Sequence, residues 1–473
     1  MFRLNAPPVR ISLSLSLWVF VFFGAPTAVQ GQSLVVDTII IQGNKRAKEK
    51  VIRREMSFSE GDSLFLQDTT DRFTWNRLQI LNTGLFTQAE FKTSIHDSLL
   101  NLEIELEEAF PIVPVLNIEF ADRNFNVWWE EFNRDLRRIN YGVFFYHKNL
   151  TGVADFLKVV VQGGFTPKFE ADYTLPQLGP NKVIGLKANF FYSTNRELGY
   201  ITQNNLLVFE RNNEGALIRR LRAGIGIRIR PRLKNHHSLN LFYRDRIISN
   251  QVSNQLNPDF LLNGQSRQQY FSLHYNWFWD NRDLRAYPSK GNYFSLTAEK
   301  LGIGLWDDIN LAFAALEYGH FWSPSNKLIL ESRLKGRLSF FREQPPYYNY
   351  RAFGYGEDYL RGYELYVIDG LDFFYWKQSV HFQLLKYRFR PEKLISFLRV
   401  PSIPIRVYAS LNSDLGYVHS PYFNETNDLG NQWLWGGGAG LDILLFYDRL
   451  FRLEYSFNEL GEKGLFLHYK FGF

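Results

Sequence analysis

The sequence predicts a mainly β protein: a 16-stranded antiparallel transmembrane β-barrel preceded by one small α/β domain. Three observations lead there. Near the C-terminus Leu465, Leu467, Tyr469, Phe471 and Phe473 alternate with Gly464, Phe466, His468, Lys470 and Gly472, so each set takes one face of a strand. A strand apolar on one face and mixed on the other suits the closing strand of a membrane barrel, although an edge strand of a soluble sandwich reads similarly. Aromatic residues make up 17% of the 473, yet mean hydropathy is only −0.25. That is the profile of strands that face lipid on one side and a polar lumen on the other. From Pro111 onward, short alternating segments recur between Gly, Pro and Asn turns, at about 23 residues per strand and connection.

Residues 1–31 read as a secretory signal peptide. Arg3 and Arg10 form a positive start, Ile11 to Gly24 is mostly apolar, and Ala25, Ala28 and Gly31 offer small residues for cleavage. The fully apolar run from Leu17 to Phe23 is far short of the roughly 20 residues a helical span needs. The chain has no cysteine, which excludes a disulfide framework, a thiolate metal site, a cysteine nucleophile and a lipid-modified cysteine. Formal charge is +6, or +4 without the leader's two arginines. The densest basic run, Arg219 to Lys234, alternates with Ile225, Ile227 and Ile229, which suggests cations facing a lumen. It carries no recognition module for nucleic acid.

Residues 34–110 form the small domain, in the order β-α-α-β-β. Val35 to Ile41 is a β-branched strand closed by Gly43-Asn44. Lys48 to Met56 and Phe65 to Leu81 have helical composition, the second with Phe73, Leu78 and Leu81 as its apolar stripe and Gly84 as a stop. Phe86 to Ile95 and Leu99 to Glu107 are strands. Residues 111–473 form the barrel, with strands expected at 112–121, 139–148, 153–164, 167–175, 182–193, 216–231, 237–249 and 267–280. The remainder lie at 291–301, 308–322, 326–341, 371–388, 403–417, 433–446, 449–457 and 464–473. A helix is conceivable only around Trp128 to Leu136. Short connections (149–152, 284–290, 323–325) and long ones (194–215, 250–266, 342–370) fall on alternate ends. Tryptophans near strand ends, among them Trp306, Trp322, Trp376, Trp433 and Trp435, read as an interfacial girdle.

Motifs for chemistry are missing. His236-His237 is the only adjacent histidine pair and sits in an expected turn, where a solvated face explains it. No His-Glu-x-x-His or Gly-x-Ser-x-Gly occurs. The acidic pairs Glu107-Glu108, Glu130-Glu131 and Asp307-Asp308 diverge if they lie on strands, whereas general acid/base work needs convergence. Gly436-Gly437-Gly438 leads into a strand and is read as wall glycine that permits bending. No catalytic residue, metal or cofactor is therefore expected, and the chain is not read as an enzyme.

The most specific segment is 342–370. It holds Phe353-Gly354-Tyr355-Gly356, then Leu360-Arg361-Gly362-Tyr363, then Gly370. Here the chain resembles the BamA/TamA outer-membrane insertase superfamily, in which a Val/Leu-Arg-Gly-Phe/Tyr tip folds back into the barrel lumen. The β-α-α-β-β unit resembles a POTRA domain. Asn149-Leu150-Thr151-Gly152, Asp280-Asn281-Arg282-Asp283, Pro288-Ser289-Lys290-Gly291 and Asp414-Leu415-Gly416 follow in the family's order. The resemblance implies Asp414 as partner of Arg361, with Gly416 beside it. A carboxylate fixed on the wall suits a guanidinium bidentately, and Gly362 permits close backbone approach; Tyr363 reads as a packing residue.

The resemblance implies an outer-membrane protein assembly or translocation factor that inserts or exports β-rich clients through a barrel seam without nucleotide. The seam would join Ile112, Pro114 and Leu116 of the first strand, which carries Pro111 and Pro114, to Leu465, Leu467, Tyr469, Phe471 and Phe473 of the last. Proline cannot donate to a ladder, and exposed edges accept strands. Expected partners are unfolded outer-membrane or surface proteins, the lipid bilayer, and accessory periplasmic or lipoprotein subunits. The implied location is the outer membrane of a Gram-negative-type bacterium, with the POTRA unit in the periplasm. A two-partner-type secretion pore and a passive porin-like barrel are the alternatives; relatives of the former usually carry two POTRA units, and only one fits before Pro111.

Overall fold

The structure, a computed structural model, describes residues 33–120, 128–129, 132–178, 183–212, 214–389, 403–445 and 449–471. The leader expected over 1–31 and the terminal Phe473 lie outside the described residues.

The small domain contains β1 (Ser33–Gln42), α1 (Glu49–Arg54), β2 (Ser63–Phe65), α2 (Leu66–Asn82), β3 (Phe86–His96) and β4 (Leu99–Glu108). Its sheet runs β2-β1-β4-β3, with β1 parallel to β4 and the outer pairs antiparallel. The sequence reading lacked β2, whose three residues are too few to show a period; Leu64 alone turns into the core. Val36, Ile52, Ile80, Leu100 and Ile104 form that core between sheet and helices. The buried line of α2 runs through Asn76, Gln79 and Ile80, not Leu78, because Asn76 turns inward to accept the Ser57 N–H at 2.9 Å. Gly84, at φ +68°, follows the helix end, and its left-handed backbone suits glycine.

The barrel opens with β5 (Ile112–Phe120), β6 (Ile139–Lys148), β7 (Phe156–Gly164), β8 (Lys168–Leu178) and β9 (Ile184–Asn195). A hairpin of β10 (Glu197–Gln203) and β11 (Leu206–Arg211) stands outside the wall. The wall continues with β12 (Ile218–Arg232), β13 (Asn235–Ile248), β14 (Arg267–Asp280), β15 (Gly291–Leu301), β16 (Leu311–Ser325) and β17 (Leu328–Ser339). A small pair, β18 (Arg351–Phe353) with β19 (Ile368–Asp369), lies in the next connection. The wall closes with β20 (Asp372–Phe389), β21 (Ile403–His419), β22 (Trp433–Leu445), β23 (Arg449–Asn458) and β24 (Lys463–Phe471).

These sixteen wall strands follow one another in chain order, each antiparallel to the next. All sixteen coincide with expected segments. The order has two ends, β5 and β24, and no ladder joins them among the described residues. Alternation sets the faces: Leu116, Ile118, Ile225, Ile227, Leu465, Leu467 and Tyr469 are exposed outward. The structure corrects the sequence reading of 194–215, which contains the hairpin β10–β11. Around Trp128 to Leu136 only Trp128-Trp129 and the turn Leu136–Arg138 are helical among described residues.

The long connections pack on one another over one end of the barrel. Leu198, Leu217, Val252, Phe260 and Tyr347 share a core there. Thr202 Oγ1 donates to Asp369 at 2.6 Å, and Asn205 Nδ2 to Asp428 at 2.6 Å.

The small domain sits against the opposite end. Lys48 N donates to Gly152 O at 2.9 Å and Asn82 Nδ2 to Asp283 O at 3.1 Å. Arg230 meets Glu55 with Nη1 and Nη2 at 2.6 and 2.8 Å. Burial alone would raise the Glu55 carboxyl, but Arg230 and Arg54 outweigh it and hold it at about 2.

Candidate functional site

The segment between β17 and β20 folds inward and is fixed by charge. Lys335 of β17 donates to both carboxylate oxygens of Asp358 at 2.7 and 2.8 Å. Arg337 caps the carbonyls of Arg351 and Gly370 at 2.7 and 2.8 Å. Its tip is Leu360-Arg361-Gly362-Tyr363, in which Leu360, Arg361 and Tyr363 are all buried.

Arg361 Nη1 donates to Asp414 Oδ1 at 2.6 Å, and the Arg361 backbone N–H to Asp414 Oδ2 at 3.1 Å. The bidentate guanidinium geometry expected from sequence is therefore replaced by a side-chain and backbone clamp on one carboxylate. The second face of the guanidinium goes to a residue the sequence reading missed. Arg361 Nε lies 2.7 Å from Glu454 Oε1, an ion-pair distance without an aligned hydrogen bond. Asp414 of β21 and Glu454 of β23 are both fully buried. Glu454 also accepts from Asn412 Nδ2 at 2.6 Å, and Lys377 stands 3.7 Å from Asp414. Two cations thus meet two carboxylates, which is what makes burial of charge tolerable.

Glycines let the backbones touch. Gly362 has φ +84°, and a Cβ there would overlap the Phe457 carbonyl of β23. A Cβ on Gly436 of β22 would overlap the Arg361 carbonyl. Gly436 was read as a residue that permits bending; its place is a slot for the loop tip. Gly416 accommodates the Leu360 side chain in the same way. Asn458 Nδ2 donates to Gly362 O at 2.7 Å, and Tyr363 Oη to Glu459 at 3.1 Å. Tyr359, one residue before the motif, stacks on His468 of β24.

A second buried cluster lies toward the small domain. The segment 284–290, expected to be a short connection, sends Tyr287 into the lumen. Its hydroxyl donates to Asp442 at 2.9 Å and lies 2.9 Å from His381 Nδ1. Arg452 takes Asp442 with Nε and Nη2 at 2.7 and 2.9 Å, and His381 Nε2 is 3.2 Å from Glu331. A lone tyrosine in a polar turn carries no periodic signal, so this inward fold was not legible.

The remaining expected residues sit at the two ends of the sheet. Ile112 and Leu116 of β5 and Leu465, Leu467 and Tyr469 of β24 face outward. Pro111 precedes β5, and Pro114 lies within it, opposite Phe145 of β6. Phe471 is the last residue of β24, paired with Arg449. Among the described residues no group of three or more His, Asp or Glu could hold a metal ion.

An antiparallel sixteen-stranded wall, a small N-terminal α/β domain and a charge-pinned lumen loop define a β-barrel of the outer-membrane type. Residues 149–370 match the Omp85 superfamily domain. Among solved structures, BamA from Haemophilus ducreyi lacking POTRA domains 1–3 aligns at TM-score 0.52 and 14% identity, over 92% of this chain and 84% of that one. CdiB from Escherichia coli aligns at TM-score 0.54 and 13% identity, over 93% and 76%. At these identities the likeness is one of fold. Comparison with curated proteins finds no match.

Proposed function

We propose that this chain assembles or translocates β-rich client proteins at the outer membrane, with residues 34–110 acting as a POTRA unit in the periplasm. The observation that carries this reading is the clamp of Arg361 on Asp414 and Glu454. It fastens the loop tip to β21–β23, next to the end strand β24. A passive pore has no need of a buried loop fastened by four charged groups. The tip braces the closing strands from within, beside the end strand β24.

At the other end of the sheet, Pro114 removes one backbone donor from β5. Clients dock by β-augmentation on these edges, and their own folding drives the transfer. Unfolded outer-membrane or surface proteins and the bilayer are the partners, with accessory periplasmic or lipoprotein subunits as further ones.

The test couples a lock with a release. Leu116→Cys and Leu467→Cys, both on the outward face, are joined by a bifunctional maleimide in vesicles, and insertion of a reporter barrel is followed. Insertion is expected to stop on crosslinking and to return on cleavage of the linker. Full insertion in the locked form excludes the seam and leaves passage through the lumen, as a secretion pore would use. Unchanged insertion by Arg361→Ala removes the loop from the mechanism.

A further inference from the structure

Where the small domain meets the barrel rim there is a cavity of about 170 Å³. The C-terminal end of α1 contributes Arg54 and Glu55, β12 contributes Arg228 and Arg230, β13 contributes His236, and the β14–β15 connection contributes Arg285. Four guanidinium groups therefore face one carboxylate. That carboxylate is already engaged, since Glu55 accepts from Arg230 and from Arg54 Nε, the latter at 2.9 Å. Arg285 Nε leans on Asp280 at 3.1 Å.

Two donors are left over. Arg228 has no hydrogen-bond or ion-pair partner among the described residues, and the buried His236 Nε2 has no hydrogen bond. The sequence reading placed His236-His237 in a solvated turn. The structure corrects this: both begin β13, and His237 Nδ1 contacts Tyr275 Oη at 2.9 Å. Like charges held together in a partly desolvated space repel unless a counter-charge joins them.

We propose that this cavity binds a phosphate-type oxyanion. A phosphate offers acceptor oxygens in several directions, which suits donors on three separate walls. A planar carboxylate satisfies one guanidinium fork and leaves the others. The cavity is several times the roughly 30 Å³ share of one water, so a phosphate group and bridging waters fit.

The site also borders the outward face of the wall. The outward run Ile225, Ile227, Ile229 ends at it, and Ile229, 41% exposed, forms part of its lining. Basic pockets at the membrane surface take phospholipid headgroups. The phosphate of a bilayer lipid and free phosphate share this chemistry.

The experiment uses the full chain in detergent, with calorimetric titration of inorganic phosphate and, separately, of dihexanoyl-phosphatidylglycerol. Dihexanoylglycerol is the uncharged control. Wild type is expected to bind at least one phosphate probe, and Arg228→Gln to weaken it about tenfold, the effect of losing one charge-assisted hydrogen bond. Arg228→Lys, which keeps the charge, holds affinity within about threefold. His236→Leu removes the other donor and provides a second weakened variant if Arg228→Gln does not fold, folding being judged by the heat-dependent gel shift of the barrel.

Tighter binding of the lipid assigns the headgroup as ligand, and binding of inorganic phosphate alone assigns the free anion; both sustain the site. Equal binding by wild type and the weakened variants overturns it. So does binding of neither probe, of the uncharged control equally, or only of a peptide with a free C-terminal carboxylate.

Discussion

The ring of Tyr359 stacks on that of His468, with centroids 5.1 Å apart and planes 12° from parallel. Lys377 Nζ is the other contact of the tyrosine ring, 4.1 Å from its centroid. Through this stack the lumen loop reaches β24 itself, beyond the strands held by Arg361.

Tyr359→Ala removes both the ring contact and the cation–π contact, and is expected to cost about 1–2 kcal/mol. The midpoint of the heat-dependent gel shift falls accordingly. Tyr359→Phe, which keeps the ring, stays close to wild type.

Arg361→Ala leaves Glu454 buried without its cation and Asp414 with Lys377 alone, at 3.7 Å, a loss of about 3–5 kcal/mol. Replacing the carboxylates as well, with Asp414→Asn and Glu454→Gln, recovers part of it. A double-mutant cycle in urea between Arg361→Ala and Asp414→Asn reads the coupling directly; additive effects contradict the clamp.

Gly436→Ala pushes a methyl into the Arg361 carbonyl. The tip then leaves its slot, and trypsin cuts the folded barrel faster after Arg351 or Arg361, as mass spectrometry of the fragments shows. An unchanged cleavage rate means the tip tolerates displacement.

Docking of the small domain depends on pH through Glu55. Its carboxyl is held at about 2 when docked, against an ordinary value of 4.5. A depressed carboxyl contributes in full above the ordinary value and loses its contribution as pH falls toward the depressed one. The difference corresponds to about 3 kcal/mol. Crosslinking between cysteines placed at Asn82 and Arg285 is expected to hold from neutral pH to about 5 and to weaken between about 4.5 and 2. Glu55→Gln undocks at neutral pH and flattens the profile.

The sixteen wall strands were legible because one face of each is apolar and the other mixed, a period-two signal that repeats all along the wall. Leu360-Arg361-Gly362-Tyr363 and Asp414 were legible from the family's motifs. Glu454 was not: on a strand reading Arg452-Leu453-Glu454-Tyr455, one inward acid looks like any lumen residue. β2 and the hairpin β10–β11 were hidden for a related reason, since one is three residues long and the other sits in a stretch without clean alternation. Tyr287, His236 and Gly436 owe their roles to what faces them across the barrel, and spacing within one segment does not record that.

The small domain touches the barrel at the turn after β6, at Arg230 near the turn after β12, and at the connection after β14. Counted around the wall, those are its second, sixth and eighth strands. A domain joined at such points acts as a chord across the rim and stiffens the half it spans. Any change of girth then falls more easily on the strands from β15 round to β24, which the domain does not bridge.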